Sequence, residues 1–240
     1  MLRFLFVIFR NLFRAPYIIP KMRKMASAPD KYSLETRYAF AKKAIHYMIG
    51  AGNIETIAYG QENLPKEGGY VLFPNHQGKY DALGIIYTHE RPCSFVMDKA
   101  KSYTFLVKEF LELIDGKRIS LYDLRQGMHV INSITQEVID GRIFILFSEG
   151  GYSHNRNKVQ DFKPGSFKSA QRAKAPIVPV CLIDSYKPFN SFTIGKITTK
   201  VIYLEPLTYS YYQNLNTTQI AAEVKQRITS AMNEFGENIL

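Results

Sequence analysis

The chain has 240 residues, which allows one large domain or a domain with an appendage, and 46% hydrophobic residues exclude a disordered chain. Its formal charge of +10 implies an anionic partner: a nucleic acid, an acidic bilayer or a phosphorylated small molecule. The 16 Tyr and 16 Phe suit a lipid interface as well as a nucleic-acid surface. Cys93 and Cys181 each lie beside apolar residues, which predicts two buried thiols in a reducing compartment rather than a zinc site.

The N-terminal segment, residues 1–14, is very apolar but is interrupted by Arg3, Arg10 and Arg14, so it is too short and too charged to span a membrane. On a helix the three arginines form one narrow stripe, and apolar side chains cover the rest. This pattern predicts an amphipathic helix that lies in a bilayer interface. A buried core helix is disfavoured, because it would bury three arginines. A signal peptide is the other alternative, since Ala26-Ser27-Ala28 has the A-x-A form, but Arg10 breaks its apolar core.

Two prolines, Pro16 and Pro20, are expected to end this first helix. A second helix is predicted over residues 30–48, where apolar residues recur at helical spacing and several lysines add positive charge. We therefore predict a membrane-associating N-terminal unit of two amphipathic helices, residues 1–53, followed by a catalytic domain over residues 54–240.

Beyond residue 53, apolar runs bounded by turn residues alternate with segments of helical periodicity. The predicted strands are residues 54–59, 70–73, 94–97, 142–147 and 177–183, with one or two more within 192–203. The predicted helices are residues 81–87, 103–113, 125–139 and 166–174, and a final helix that Asn216 caps with Gln219 three residues later. This alternation predicts an α/β fold with a mostly parallel sheet flanked by helices.

A histidine and an aspartate, His76 and Asp81, follow the predicted strand 70–73, where α/β proteins place active sites. On a straight helix this spacing would leave the two side chains about 140° apart. They can meet only if the chain turns between them, and Gly78 supplies that freedom. Asp81 would then fix the imidazole tautomer while His76 takes a proton from a substrate hydroxyl. A structural histidine bonded to an aspartate at a helix start fits the spacing equally well.

A second candidate segment, residues 147–153, follows the most apolar predicted strand. Glu149, Gly150 and Gly151 predict a tight loop whose backbone N–H groups form an anion-binding nest. Taken alone, an ordinary turn after a strand explains it as well. No G-x-S-x-G motif is present, so a serine acyl-enzyme has no support.

Taken together and in order, these motifs resemble those of the glycerolipid acyltransferase family, especially the lysophosphatidate acyltransferases. Asn75, His76 and Asp81 match the first block of that family completely. Residues 113–119 match the second block loosely and put Arg118, with Lys117 beside it, at the place of its final arginine. Phe147, Glu149, Gly150 and Ser153 match the third block, residues 162–165 match a Phe-Lys-x-Gly step, and residues 177–180 match the fourth block.

The resemblance implies transfer of a fatty acyl group from a thioester to the free hydroxyl of a lysophospholipid, with 1-acylglycerol 3-phosphate as the expected acceptor, in phospholipid synthesis. His76 would be the general base and Asp81 its orienting partner. The implied substrate-binding residues are Arg118, Lys117, Glu149, Gly150 and Gly151. No metal or bound cofactor is implied, and the donor substrate would be acyl-ACP or acyl-CoA. The expected location is the cytoplasmic face of an anionic membrane, peripheral or interfacially embedded, without a nucleic-acid partner.

Three positions of the third block depart from the family, because Ser148, Gly151 and Tyr152 replace its proline, threonine and arginine. The family is thought to use that arginine near the substrate phosphate, so the acceptor stays open. Arg118, Lys117, Lys163 and Arg156 are the alternative sources of positive charge. The competing functions are an acyltransferase for another lysolipid or glycerol 3-phosphate, and a non-catalytic protein that binds anionic lipid.

Overall fold

The computed structural model describes residues 2–120, 122–152 and 155–237, so Ser153 of the third block lies outside the described residues. The helices are α1 (Leu2–Asn11), α2 (Ala15–Ala26), α3 (Leu34–Gly52), α4 (Asp81–Thr88), α5 (Val107–Leu113), α6 (Leu124–Ile139), α7 (Lys168–Ala173), α8 (Lys187–Asn190), α9 (Tyr209–Tyr212) and α10 (Thr217–Glu237). The strands are β1 (Ile54–Tyr59), β2 (Tyr70–Pro74), β3 (Cys93–Asp98), β4 (Lys117–Ile119), β5 (Ile143–Ile145), β6 (Ile177–Ile183) and β7 (Ile197–Tyr203).

The strands form one sheet in the order β1-β7-β6-β2-β5-β3-β4. Among the strands that the structure describes, β6 and β7 pair antiparallel, and the other neighbouring pairs are parallel. The prediction of an α/β fold with a mostly parallel sheet is therefore confirmed. Because β1 and β7 run opposite to the other strands, the beginnings of these two lie at the same sheet edge as the ends of the other five.

Helices cover both faces of the sheet, so its central strands are buried throughout. Successive side chains of β2 alternate between two hydrophobic cores: Tyr70 and Leu72 face one, Val71 and Phe73 the other. The first layer, α1 to α5 with α8, packs on the Tyr70 side, and the second layer, α6, α7, α9 and α10, packs on the Val71 side.

Most predicted elements are present with small shifts. The helix predicted over residues 103–113 begins only at Val107, because Leu106 has a left-handed φ of 70°. The region 192–203, which was predicted to hold one or two strands, holds one, β7. The strand β4 was not predicted, since two of its three residues are charged. The final helix has its capping box: Asn216 and Gln219 each accept a backbone N–H from the other residue.

The orientation of α1 is the reverse of what the arginine stripe suggested. Arg3 is 0% exposed and donates to the carbonyl oxygens of Gly52, Thr193 and Gly195 at 2.6–2.8 Å. Arg10 likewise donates to the carbonyl oxygen of Ala51. The argument that these arginines exclude burial is therefore wrong for Arg3, because unpaired carbonyl groups satisfy its guanidinium.

The opposite face of α1 is apolar and points away from the protein. Leu2, Leu5, Ile8 and Phe9 are the exposed apolar residues of this face, and Leu12 and Phe13 in the turn after α1 are also exposed. None of the helices among the described residues is both long and apolar enough to cross a membrane.

The first helix ends at Asn11, before either proline, and Pro16 and Pro20 lie within a further helix that was not predicted. A second helix, α2, follows α1 after a short turn, with Pro16 in its first turn, where a missing N–H is harmless. Pro20 lies inside α2, which continues to Ala26. Met22 and Met25 of α2 are buried in the same core as the sheet. The division of the chain at residue 53 concerns function and stays a prediction.

The two cysteines, Cys93 and Cys181, are free and buried as predicted. Burial raises the pKa of both thiols to about 12, because the thiolate form would lose its hydration.

A buried histidine, His89, makes the fold sensitive to acid. Its Nδ1 donates to the carbonyl oxygen of Arg91 at 2.6 Å, and Nε2 accepts from the hydroxyl of Tyr70 at 2.7 Å. Burial lowers the pKa of His89 to about 4, against about 6.5 in an unfolded chain. Between these two values the unfolded chain binds a proton that the folded protein does not, so the free energy of unfolding should fall as the pH drops from 6.5 towards 4.

Replacing His89→Gln should remove this contribution. We expect a smaller loss of unfolding free energy between pH 7 and pH 5 in His89→Gln than in the unmodified protein, measured by urea denaturation. The exposed His46 offers a matched control, because His46→Gln should keep the full pH dependence. An identical pH dependence in all three proteins would contradict the assignment to His89.

Candidate active site

The centre of the candidate site is the pair His76 and Asp81, just beyond the carboxyl end of β2. Nδ1 of His76 donates to Oδ2 of Asp81 at 2.7 Å. The Asp81 side chain is fully buried, whereas the His76 side chain is 17% exposed. Because Nδ1 carries the proton, Nε2 is left with a lone pair that can accept a proton from a substrate.

The turn that joins the pair is made by Asp81 itself. Its Oδ2 also accepts the backbone N–H groups of Gln77 at 2.5 Å and Gly78 at 2.9 Å, which folds the loop around the carboxylate. Gly78 does not have a left-handed φ, and a Cβ there would make an ordinary contact. The predicted meeting of His76 and Asp81 occurs, but the reason given for it, the freedom of Gly78, is wrong.

Two buried amides fix this loop to the neighbouring strand β6. The side chain of Asn75 exchanges two hydrogen bonds with the backbone of Leu182, at 2.7 and 3.1 Å. Nε2 of Gln77 donates to the Leu182 carbonyl oxygen and to Oδ1 of Asn157. Asn157 in turn bonds both the backbone and the side chain of Asp184 after β6. The loop that bears His76 is therefore held by neutral side-chain hydrogen bonds on one side.

Aromatic rings enclose His76 on two further sides. The ring of Phe147 stacks on the imidazole with centroids 4.2 Å apart, and Tyr152 meets it edge-on at 4.7 Å. Burial and the negative charge of Asp81 both raise the pKa of Tyr152, so its hydroxyl is neutral and can donate a hydrogen bond. Tyr152 occupies the position at which the family has an arginine, so at this position an aromatic ring contacts His76.

The third-block loop packs beside His76. Burial raises the pKa of Glu149, an effect that hydrogen bonds from Gln160 and the neighbouring His76 partly offset. The carboxylate accepts the backbone N–H and the side-chain amide of Gln160, so it ties residues 149–160 into a closed loop. Gly150 and Gly151 have φ of 74° and 154°, which glycine adopts readily. The Gly150 N–H donates to the Phe147 carbonyl oxygen at 3.3 Å, so this part of the predicted nest is a turn.

A lysine lies next to this loop. A Cβ added at Gly150 would collide with the side chain of Lys163, so that side chain covers the glycine. The backbone N–H of Lys163 donates to the Ser148 carbonyl oxygen at 2.8 Å, and Ser166 and Ser148 share a hydrogen bond at 2.7 Å. Of the sequence-predicted cations, Lys163 is the one that the structure brings to the third-block loop.

The two cations of the second block are not brought to His76 by any contact between described residues. Lys117 pairs with Glu137 at 2.6 Å, and Arg118 pairs with Glu112 at 2.9 Å. Arg118 also donates to the Ser102 hydroxyl and lies over the ring of Tyr103. Their role in substrate binding stays a prediction. Arg156 is exposed and has a left-handed φ of 51°.

Sequence reasoning missed the residues that hold the site together. Asn155, which donates to the His76 carbonyl oxygen at 2.9 Å, and Asn157 and Gln160 all lie in the loop after the third block. The sequence carries one signal for them, because three side-chain amides lie within residues 155–160, soon after two glycines. Amides at such positions commonly satisfy the backbone of an irregular loop.

The arrangement matches known proteins at the levels of sequence and fold. Residues 55–183, more than half of the chain, match the acyltransferase family. The chain is 24% identical to a probable 1-acyl-sn-glycerol-3-phosphate acyltransferase from Mycoplasma genitalium over 85% of this chain and 81% of that protein. It is 24% identical to the putative 1-acyl-sn-glycerol-3-phosphate acyltransferase acl-1 from Caenorhabditis elegans, but it spans only about half of that relative, 49%.

The fold is also that of a solved structure. The crystal structure of the 1-acyl-sn-glycerophosphate (LPA) acyltransferase PlsC from Thermotoga maritima superposes with a TM-score of 0.76 at 17% identity, covering 97% of this chain and 96% of that one. At that identity the match shows the fold.

In this arrangement, at the carboxyl edge of a mostly parallel sheet, a buried carboxylate orients a histidine whose free ring nitrogen can accept a proton from a hydroxyl group. The chain belongs to the acyltransferase family, and its identification from sequence motifs as a glycerolipid O-acyltransferase is confirmed.

Proposed function

We propose that this protein transfers a fatty acyl group from an acyl thioester to the free hydroxyl of a lysophospholipid, with 1-acylglycerol 3-phosphate as the acceptor. The observation that supports this most directly is the His76–Asp81 pair, whose geometry leaves Nε2 of His76 as a base. The relatives named as 1-acyl-sn-glycerol-3-phosphate acyltransferases support the choice of acceptor.

In the proposed reaction, Nε2 of His76 takes the proton of the acceptor hydroxyl as its oxygen attacks the thioester carbonyl. A C–O bond forms and the C–S bond breaks, and the imidazolium returns the proton to the departing thiolate. Asp81 stabilises the imidazolium, because its charge lies 2.7 Å from Nδ1. No covalent intermediate on the protein is needed.

One assay tests the whole proposal. Purified protein is supplied with labelled acyl-ACP or acyl-CoA and with a panel of 1-acylglycerol 3-phosphate, other lysophospholipids and glycerol 3-phosphate, and products are identified by mass. We expect a diacyl product from 1-acylglycerol 3-phosphate at the highest kcat/KM. Turnover of another acceptor but not of 1-acylglycerol 3-phosphate would show that the proposed acceptor is wrong. Binding of anionic lipid without any turnover would show a lipid-binding protein instead of an enzyme.

The acceptor resides in a membrane, and we propose that the apolar face of α1 contacts the bilayer. This face presents Phe9, which is 73% exposed, and the turn after α1 adds Phe13, which is 72% exposed, while the arginines of α1 contact the protein. Such a surface suits insertion of apolar side chains below the headgroups of a cytoplasmic leaflet. The net charge of +10 favours an anionic bilayer and an anionic donor of either kind.

Replacing Leu5→Ser, Phe9→Ser and Phe13→Ser together should release the protein from vesicles. Burying one large apolar side chain contributes roughly 1.5–3 kcal/mol, so the partition into bilayers should fall by about 100-fold or more. Vesicle sedimentation measures this, and Tyr211→Ser in the second layer is the matched exposed control. Unchanged sedimentation of the triple variant would exclude α1 as the membrane contact. Charge reversal at Arg3 is unsuitable as a test, because it would disrupt the core.

The cations that were predicted to bind phosphate differ in their contacts. We propose that Lys163 contacts it, because this side chain covers Gly150 beside the His76 site. Lys163→Ala should raise the KM for 1-acylglycerol 3-phosphate about tenfold, since a hydrogen bond to a charged group contributes about 1.5–3 kcal/mol. Lys163→Arg is the charge-preserving control. Arg118→Ala should change this KM less, because Glu112 and Ser102 already hold that guanidinium. The reverse order would assign the phosphate to Arg118.

A further inference from the structure

An exposed apolar turn connects β3 to α5. Tyr103 and Phe105 are 57% and 62% exposed, and Leu106 beside them is also exposed. The three side chains lie within four consecutive residues, with only Thr104 between them. Large apolar residues scattered singly over a surface need no explanation, but three together in one turn indicate a contact surface.

The backbone of this turn is held in an unusual shape. Leu106 has a φ of 70°, a conformation that glycine adopts readily and leucine rarely. Its N–H donates to Oε2 of Glu109 at 2.9 Å, and Oε1 of Glu109 accepts from Arg23 of α2 at 2.5 Å and 3.0 Å. The turn is therefore fixed to α2, the helix that follows α1 in the N-terminal segment.

The exposed charges of residues 99–109 are positive. Lys99, Lys101 and Lys108 are exposed, whereas the carboxylate of Glu109 is buried and paired with Arg23. None of the three lysines forms an ion pair within the part of the chain that the structure describes. Apolar side chains at a tip with lysines behind them are typical of a surface that enters an anionic bilayer.

A second exposed apolar segment leaves the sheet at the same corner. Strand β4 lies beside β3, and the N–H of Lys99, just after β3, donates to the carbonyl oxygen of Ile119 at the end of β4. Tyr122, Leu124 and Met128 follow β4 and are among the most exposed large side chains of the protein. We name the six residues Tyr103, Phe105, Leu106, Tyr122, Leu124 and Met128 the β3–β4 corner.

The topology puts this corner and α1 on opposite sides of His76 along one edge of the sheet. Arg3 of α1 is bonded to residues just before β1 and β7, whose beginnings lie at the carboxyl edge of the other strands. The β3–β4 corner follows the ends of the strands at the other extreme of the sheet. His76 follows β2, between them.

We propose that the β3–β4 corner is a second membrane-contacting surface, which inserts its apolar side chains into an anionic bilayer while Lys99, Lys101 and Lys108 contact the lipid headgroups. This inference extends the proposed function, because a bilayer that touches α1 and the corner together lies against the edge of the sheet that bears His76. A lysophospholipid then reaches the base without leaving the membrane.

The chain contains no tryptophan, so a single introduced tryptophan reports on its own surroundings. The test compares Phe105→Trp with Phe9→Trp in α1 and Tyr211→Trp in the second layer. Each protein is mixed with vesicles of phosphatidylglycerol and phosphatidylcholine in equal parts, with and without bromine on the acyl chains. We expect blue-shifted emission and quenching by the brominated lipid for Phe105→Trp and Phe9→Trp, and neither for Tyr211→Trp.

The possible outcomes test membrane contact by the β3–β4 corner separately from the proposed function. Quenching of Phe9→Trp with no quenching of Phe105→Trp would overturn the role of the corner and leave the contact of α1 intact. Quenching of Phe105→Trp alone would support membrane contact by the β3–β4 corner and contradict membrane contact by α1. A blue shift of Phe105→Trp that grows with protein concentration without vesicles would assign the corner to a contact between copies and overturn the proposal.

A second variant distinguishes membrane contact from a structural role. Phe105→Ser with Leu106→Gly should lower the partition into the same vesicles by about tenfold or more. The Tm should not fall, because glycine fits the backbone at position 106 better than leucine does. Turnover of detergent-dispersed acceptor should stay unchanged. Unaltered partition in this variant would contradict the proposal.

Discussion

His76→Ala is expected to lower kcat by about 10²- to 10⁴-fold, the contribution of a positioned general base. The loss should appear in kcat more than in either KM, because Nε2 acts on the proton that moves in the transition state. The fold should persist, since the His76 side chain is partly exposed and Asp81 keeps its bonds to the backbone of Gln77 and Gly78. Steady-state kinetics with 1-acylglycerol 3-phosphate measure kcat and KM, and circular dichroism measures whether the fold persists.

The exposed His129 supplies the control for this variant. His129→Ala removes an imidazole of the second layer and should leave kcat unchanged. Near-normal turnover by a folded His76→Ala protein would make the pair with Asp81 structural, and the proposed mechanism would fail.

Asp81→Asn is expected to be nearly as damaging, with kcat lowered by a factor of up to about 10⁴. The asparagine oxygen can take the place of Oδ2 and still accept from Nδ1 of His76 and from the N–H groups of Gln77 and Gly78, so the loop should keep its shape. The neutral amide carries no negative charge, however, so it would not stabilise the imidazolium that forms when His76 takes the proton of the acceptor hydroxyl.

A double variant shows whether the two residues act as one unit. If they do, His76→Ala combined with Asp81→Asn should be no slower than His76→Ala alone, because groups that act together are strongly non-additive. Multiplicative losses, or an Asp81→Asn effect confined to KM, would show that Asp81 acts independently of the imidazole.

The parts of this fold that could be predicted from sequence are those in which a residue pattern has one physical solution. Apolar runs such as β6 are buried on both faces, so they read clearly as central strands. The approach of His76 to Asp81 was also predictable, because their block has a fixed spacing and its strand ends beside it. The edge strand β4 has no such pattern, since it is short and charged.

What could not be predicted depends on contacts between distant residues. The arginine stripe of α1 has the same helical pattern whether it faces headgroups or carbonyl groups. Only the folded chain brings the carbonyl oxygens of Gly52, Thr193 and Gly195 to Arg3. The amides of Asn155 and Asn157 are similar, because a single side chain in a loop carries no periodicity that indicates its partner.

The hydrogen bonds between Arg3 and the carbonyl groups near β7 can form only late in the synthesis of the chain. Arg3 and Thr193 are separated by 190 positions in the chain, so at 5–20 residues per second about 10–40 s pass before the ribosome has made the second partner. During that interval Arg3 lacks its partner at Thr193, so the contacts between α1 and the rest of the protein are incomplete. Its apolar face is then available to a membrane before the enzyme has finished folding, and docking of the arginine is among the last contacts to form.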